Sequence, residues 1–153
     1  DQGYPIRGMI RGDYLYLKTF QTERWPAGNP ETGYMNVDGS PTKTEVLKAK
    51  HNKETAYYWQ LSFGKRKAEE LYNIRKDPDC MVNLAEMPEY ETLKRKLEKE
   101  MTLRLVEQED PRMFGRGGLF DKYPDMSPAH QFWNRTEAGE KVRSGWVNPT
   151  DFQ

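Results

Sequence analysis

The chain carries few side chains of the kinds that act as nucleophiles or metal ligands. Cys80 is the only cysteine; it lies in a turn region at Pro78 and Asp79, and no histidine is close to it in the sequence. We therefore interpret Cys80 as a structural thiol rather than a nucleophile. His51 and His130 each lack a second candidate ligand at a useful spacing. The sequence predicts neither a catalytic nor a metal-ligating residue.

Residues better suited to binding lie in a long polar loop. Residues 22–39 are rich in Gly, Pro, Asn and Thr and include Arg24, Trp25 and Tyr34. A guanidinium group pairs well with an anion, and aromatic rings offer flat apolar faces for stacking. Loops of this length are usually functional or docked on a neighbour. We treat Arg24, Trp25 and Tyr34 as the candidate binding residues of the chain.

Two other patterns have simpler interpretations than a ligand site. Residues 115–118, Gly-Arg-Gly-Gly, could form a phosphate loop, but no strand precedes them and no Lys-Ser/Thr pair follows, which favours a flexible turn. The aromatic residues Tyr57, Tyr58, Trp59 and Phe63 could stack on sugars or bases. They are contiguous and have no basic stripe beside them, so a core or domain-interface role is the stronger prediction.

Composition limits the classes of partner. The chain has 153 residues, enough for one domain, and its 24 Lys and Arg residues balance 24 Asp and Glu residues. A net charge of zero gives no overall attraction to nucleic acid or to acidic membranes. No apolar run approaches the ~20 residues that cross a bilayer. We therefore expect neither nucleic-acid binding nor a membrane span.

The hydrophobic pattern alternates between strand and helix periods, which indicates a mixture of strands and helices with long loops and an irregular tail. One predicted strand is apolar on both faces, with Tyr14 and Tyr16 on one face and Leu15 and Leu17 on the other. That strand therefore needs cover on both sides. The predicted elements are a hairpin at 5–20, a loop at 21–42, a short helix begun by Ser40 and Pro41, a helix or strand at 54–63, a strand at 69–74, a helix from Pro88 to about Glu109, and a loop-like tail at 110–153.

Several segments in order resemble the carboxy-terminal region of the sulfatase family. The strand EELYNI, the turn RKDPDC, the segment VNLA and the helix LKRKLEKEM follow one another as they do in that family. Upstream, RGMIRGDYLYLKTF resembles the sulfatase hairpin, and ERWPAGNPETGYMNVDGSPTKTEVL resembles the heparan N-sulfatase-like (sulfamidase-like) branch. The tail GRGGLFDKYPDMSP is consistent with bacterial members. The resemblance covers residues 5–105. It implies an α+β fold in which a small antiparallel sheet packs against a long carboxy-terminal amphipathic helix, a layout that the hydrophobic pattern permits.

The resemblance implies a non-catalytic fragment. Sulfatases use a Cys/Ser-x-Pro-x-Arg motif, whose Cys or Ser becomes formylglycine, together with a calcium ion held by carboxylates; this chain has neither the motif nor the paired aspartates. Calcium and formylglycine are therefore expected in a missing amino-terminal catalytic domain, which would be the main partner. The full-length protein would hydrolyse sulfate esters or N-sulfates of glycosaminoglycan-type sugars in the periplasm or outside the cell. We expect Arg24, Trp25 and Tyr34 at the rim of its substrate cleft.

The interpretation as a sulfatase fragment predicts where the domain boundaries lie and that one face of the sheet is left uncovered. Residues 1–110 would form the sulfatase subdomain, and residues 111–153 a loop-rich tail that packs on the sheet or on the missing domain. Asp1 opens the chain without Met or a signal-peptide pattern, which also fits a piece of a longer protein. The long helix can cover one face of the sheet, so the other is expected to drive self-association. The alternative is a stand-alone carbohydrate-binding or protein-interaction module.

Overall fold

The computed structural model describes residues 3–124 and 129–153. The chain forms two compact units. We call residues 1–4, 22–66 and 124–153 the helical unit, and residues 5–21 and 67–123 the sheet unit.

The two units do not follow the predicted boundary at residue 110. The tail is shared between them, because residues 111–123 belong to the sheet unit and residues 124–153 to the helical unit. The tail motif predicted at 115–128 ends in four residues that lie outside the described part of the chain.

Three strands and four α-helices occur in the described ranges and confirm the predicted α+β class. The strands are β1 (Ile6–Arg11), β2 (Tyr14–Thr19) and β3 (Glu69–Asn73), and the helices are α1 (Pro41–Ala49), α2 (Ala56–Phe63), α3 (Glu91–Glu107) and α4 (Phe132–Glu137). The tail is less irregular than predicted. Besides α4 it contains 3₁₀ turns at Pro111–Phe114, Gly117–Lys122 and Pro149–Asp151.

The sheet is a small antiparallel one with the order β1-β2-β3. Gly12, at a φ of 59°, lies in the two-residue turn that joins β1 to β2, a backbone conformation that glycine adopts without steric cost. Met9, Tyr16 and Leu71 lie opposite one another in the register and share one face of the sheet. The predicted hairpin and the predicted strand at 69–74 are confirmed.

Helix α3 covers the face that carries Tyr16. Leu97, Met101 and Leu105 recur every four residues on α3 and are buried with Tyr16 and Leu71. A 3₁₀ turn at Pro88–Tyr90 leads into the helix, as the proline suggests. The long amphipathic helix predicted from Pro88 to about Glu109 is therefore confirmed, and it packs on the tyrosine side of β2.

The opposite face of the sheet is covered unevenly. Ile10 is 63% exposed and Leu15 and Leu17 are half-buried, whereas Glu70 and Tyr72 of β3 are buried. The Tyr72 hydroxyl donates to Glu70 Oε1 at 2.6 Å, which partly satisfies the buried carboxylate. Self-association through this face stays a prediction, and its exposed apolar part is centred on Ile10.

One charged side chain of α3 lies where the sequence did not place it. The i,i+4 spacing of Lys94 and Glu98 predicts an ion pair on a solvated face of the helix, but Lys94 is only 8% exposed. Its ammonium donates to the Ala85 carbonyl at 3.0 Å and pairs with Glu91 at 2.9 Å. Lys94 precedes the buried Leu97 by three residues and therefore shares its side of the helix. The same spacing predicts a pair between Glu91 and Arg95, and this pair is present, at 2.8 Å.

The Glu98 carboxylate ties the stability of the sheet unit to pH. Lys18 Nζ donates to Glu98 Oε1 at 2.6 Å, and this hydrogen bond lowers the pKa of Glu98 below its usual 4.5. A lowered carboxylate pKa stabilises the fold above the unfolded-state value, and the contribution is lost as pH falls through the folded-state value. We expect the urea midpoint, followed by circular dichroism, to fall less steeply in Lys18→Met than in wild type between about pH 6 and pH 3. Identical pH profiles would contradict this role.

Candidate functional site

Trp25 forms a half-exposed aromatic surface over the core of the helical unit. Its ring makes edge contacts with Tyr34, at 6.2 Å between centroids, and with Trp59, at 6.3 Å. The Lys65 ammonium lies 4.9 Å from the centre of the Trp25 ring, within the range of a cation–π contact. The packed rings hold Trp25 in place, while part of the indole stays accessible.

We call Arg24, Trp25 and Lys65 the Trp25 surface. Arg24 is half-buried and donates from Nη1 to the Gly3 carbonyl at 2.7 Å, so part of its donor capacity is already used. Lys65 is exposed, and in the described part of the chain no carboxylate pairs with it. The sequence did not single out Lys65, although it belongs to the basic run Lys65-Arg66-Lys67 that follows α2 after Gly64.

Tyr34 does not lie on an exposed rim as the sequence suggested. Its side chain is completely buried, its ring centre is 4.8 Å from that of Phe63, and its hydroxyl donates to Gln153 Oε1 at 3.1 Å. Burial raises the pKa of the Tyr34 phenol above its ordinary value. Tyr34 therefore supports Trp25 from inside the core, and of the two predicted aromatic residues only Trp25 is accessible at the surface.

A buried ammonium group fixes the loop that carries these residues. Lys43, in the first turn of α1, donates from Nζ to the carbonyls of Gly33 (2.8 Å), Tyr34 (3.2 Å) and Val37 (2.7 Å). Its counter-ion is Asp151, whose Oδ2 lies 3.2 Å from Nζ. Both side chains are almost fully excluded from solvent, so charge and hydrogen bonds must compensate for lost hydration.

Serine and proline place Lys43 where it can do this. Ser40 Oγ accepts a hydrogen bond from the Lys43 backbone N–H at 3.1 Å, and Pro41 occupies the first helical position. The predicted start of this helix is therefore confirmed. Because the cap fixes where α1 begins, it also fixes the direction in which Lys43 leaves the helix.

Residues 146–153, which we call the C-terminal segment, supply Asp151 and further contacts to the loop that Lys43 holds. The Trp146 indole N–H donates to the Met35 carbonyl at 3.1 Å, and the Gln153 amide donates to the Leu47 carbonyl at 3.2 Å. Asn148 and Asp151 cap the Pro149–Asp151 turn reciprocally, which orients the Asp151 carboxylate. The sequence prediction for this stretch was a loop, although its Asn-Pro-x-Asp pattern is a capping box and indicates a short capped turn.

The aromatic run on α2 divides between core and surface. The structure confirms a helix rather than a strand here, with Phe63 buried and Trp59 packed against the same core. Tyr57 and Tyr58 instead stay about half exposed, with ring centres 4.0 Å apart. A core role therefore holds for Trp59 and Phe63, and the alternative that was predicted with it, a domain-interface role, stays a prediction for Tyr57 and Tyr58.

The remaining candidate groups stay apart from one another. Cys80 is half-buried in the turn after β3, where the Asp77 carboxylate accepts from the N–H groups of Met81 and Val82 at 3.0 and 2.8 Å. Over residues 3–124 and 129–153, no group of three or more His, Cys, Asp or Glu side chains has a geometry that could hold a metal ion. None of the described helices is long and apolar enough to cross a bilayer.

Comparison with known proteins leaves the family undecided. No protein-family model matches this chain, and no curated protein matches it significantly. The resemblance of residues 5–105 to sulfatases therefore stays a prediction.

Proposed function

We propose that this chain is the carboxy-terminal part of a sulfatase acting on sulfate esters or N-sulfates of glycosaminoglycan-type sugars. The order of hairpin, long loop, short helices, strand and long helix is the order that the resemblance implies, which supports the proposal. In this role the chain completes the fold of the enzyme and contributes the Trp25 surface to sugar recognition.

The residues of this chain do not fit the groups that sulfatases use for hydrolysis. It lacks the Cys/Ser-x-Pro-x-Arg motif, and its described residues offer no carboxylate cluster suited to a calcium ion. The chemical step therefore belongs to a domain that this sequence does not include. The contribution of this chain is to bind and orient.

The observation that carries the binding role is the Lys65 ammonium over one face of the half-exposed Trp25 ring. An indole face accepts the apolar C–H face of a sugar ring, and an adjacent exposed cation is placed to meet a sulfate. Arg24 adds a second positive charge next to Trp25 in the sequence. Because Tyr34 and Trp59 brace the indole, little ordering is required when a sugar binds.

A binding measurement on the purified chain tests this role. We expect calorimetry to show that the chain binds a heparin-derived N-sulfated disaccharide. Trp25→Ala should weaken this binding about fivefold because the stacking surface is lost. Lys65→Gln should lower the ratio of affinities for the N-sulfated disaccharide and its N-acetylated counterpart about three- to fivefold. Lys53→Gln, an exposed cation on the same unit, is the matched control. Equal affinities for both disaccharides, or loss of the preference in Lys53→Gln alone, would contradict the binding role. A separate assay tests the absence of catalysis: sulfate release by the purified chain that Cys80→Ala abolishes would contradict it.

A protein-interaction module is the second candidate. Tyr57, Tyr58 and Leu61 are all at least 38% exposed on α2, which is a feature of contact surfaces. This candidate predicts a macromolecular partner whose binding is weakened by Tyr57→Ser and unaffected by Lys65→Gln. The sulfatase proposal predicts the reverse for sulfated sugars.

A further inference from the structure

A pocket of about 620 Å³ lies within the helical unit and plays no part in the proposed sugar surface. Its volume falls in the range of small-molecule sites. Five apolar side chains line it: Phe132 of α4, Val142 after that helix, and Val147, Pro149 and Phe152 of the C-terminal segment.

The walls of this pocket are held by the surrounding packing. Phe132 is 4% exposed, and the Phe132 carbonyl accepts from the Thr136 hydroxyl at 2.9 Å within α4. At Gly33, with φ 73°, an added Cβ would lie 2.5 Å from Val147 Cγ1, so the loop backbone packs directly against the wall. The capped turn at Pro149–Asp151 fixes the chain between Val147 and Phe152. A preformed cavity of this kind loses little entropy when a ligand enters.

The charges around the pocket are unequally neutralised. Glu140 lines it, but its carboxylate is engaged by Arg135, with Nε 2.8 Å from Oε2. Lys141 and Arg143 also line it, are exposed, and have no ion pair in the described part of the chain. Glu31 is the only other carboxylate of the lining. Among the described residues, the lining therefore has two unpaired cations, Lys141 and Arg143, and one carboxylate, Glu31, that Arg135 does not neutralise.

We propose that this pocket binds a small organic carboxylate whose apolar ring body fills the cavity. The body contacts Phe132, Val142 and Phe152, and the carboxylate faces Lys141 and Arg143. Arg143 offers a planar fork that matches two carboxylate oxygens, while Lys141 adds a mobile positive charge. The ring body supplies most of the binding energy, and the cations supply the preference for an anion.

Calorimetry with 2-naphthoate and its neutral counterpart 2-naphthamide tests the proposal on the whole chain. We expect saturable binding of both, with naphthoate about three- to tenfold tighter. Lys141→Gln/Arg143→Gln should bring the two affinities together without weakening naphthamide. Lys53→Gln, a cation outside the pocket, should preserve the preference. Val142→Trp should weaken both ligands at least tenfold by filling the cavity, with its thermal melt showing that it is folded.

Four results would overturn the proposal. Two concern wild type: no binding, or equal affinity for naphthoate and naphthamide. The others are an unchanged preference in the Lys141→Gln/Arg143→Gln variant and undiminished binding to folded Val142→Trp. The pocket shares no residue with the Trp25 surface, so these outcomes are independent of the sulfatase proposal.

Discussion

Asp151→Asn is expected to lower the free energy of unfolding of the helical unit by about 3–5 kcal/mol, the usual cost of leaving one member of a buried ion pair uncompensated. In the wild type the Asp151 carboxylate lies 3.2 Å from the Lys43 ammonium, and both side chains are at most 1% exposed. A neutral amide keeps the size of the side chain but removes the negative charge. The Lys43 ammonium would then be buried with only carbonyl acceptors.

Tryptophan fluorescence in urea measures this effect selectively, because all four tryptophans, at 25, 59, 133 and 146, belong to the helical unit. Lys43→Met should be about equally costly, since it removes the donor to three carbonyls. The control is Lys48→Met on the same helix, whose exposed pair with Glu45 is worth at most about 1 kcal/mol. Similar losses in Lys48→Met and Asp151→Asn would contradict the central role of the buried pair.

Leu97→Ala is expected to destabilise the sheet unit by about 3–4 kcal/mol. Leu97 is 1% exposed and lies in one core cluster with Tyr16, Leu71 and Met101. Removing its branched end leaves a cavity that the surrounding strands and helix can fill only partly. Urea unfolding followed by amide hydrogen exchange of α3 measures the loss within this unit.

The control for Leu97 is Leu103→Ala on the same helix. Leu103 is 55% exposed, so its truncation should change stability by no more than about 0.5 kcal/mol. Because both changes remove the same atoms at similar helix propensity, the difference between them reports burial alone. An equal effect at the two positions would mean that α3 does not pack on the sheet as described.

Local patterns in the sequence were enough to predict most elements of the fold. Gly12 between two apolar runs predicted the hairpin, Ser40 and Pro41 predicted the start of α1, and the spacing of Leu97 and Met101 predicted α3. Each of these signals acts within a few residues, which is the range over which periodicity and capping are informative. Together they indicated a mixture of strands and helices, and the resemblance to sulfatases implied the α+β layout.

What the sequence did not predict depends on contacts between distant residues. Lys43 looks like an ordinary helix cation, yet its partner is 108 positions later, at Asp151. Tyr34 sits in a Gly- and Pro-rich loop that suggested exposure, but the C-terminal segment closes over that loop. Lys65 joins the candidate site through its position over Trp25, a contact that residue types alone did not indicate.

The most direct test of the sulfatase proposal is the release of inorganic sulfate by the longer protein to which, on that proposal, this chain belongs. We expect sulfate release from N-sulfated or O-sulfated glycosaminoglycan disaccharides, with kcat/KM reduced about fivefold by Trp25→Ala and about three- to fivefold by Lys65→Gln. Lys53→Gln should leave kcat/KM unchanged. Absence of sulfate release from every sulfated sugar would contradict the proposal, and activity that is equal in the Trp25, Lys65 and Lys53 variants would remove the Trp25 surface from substrate recognition.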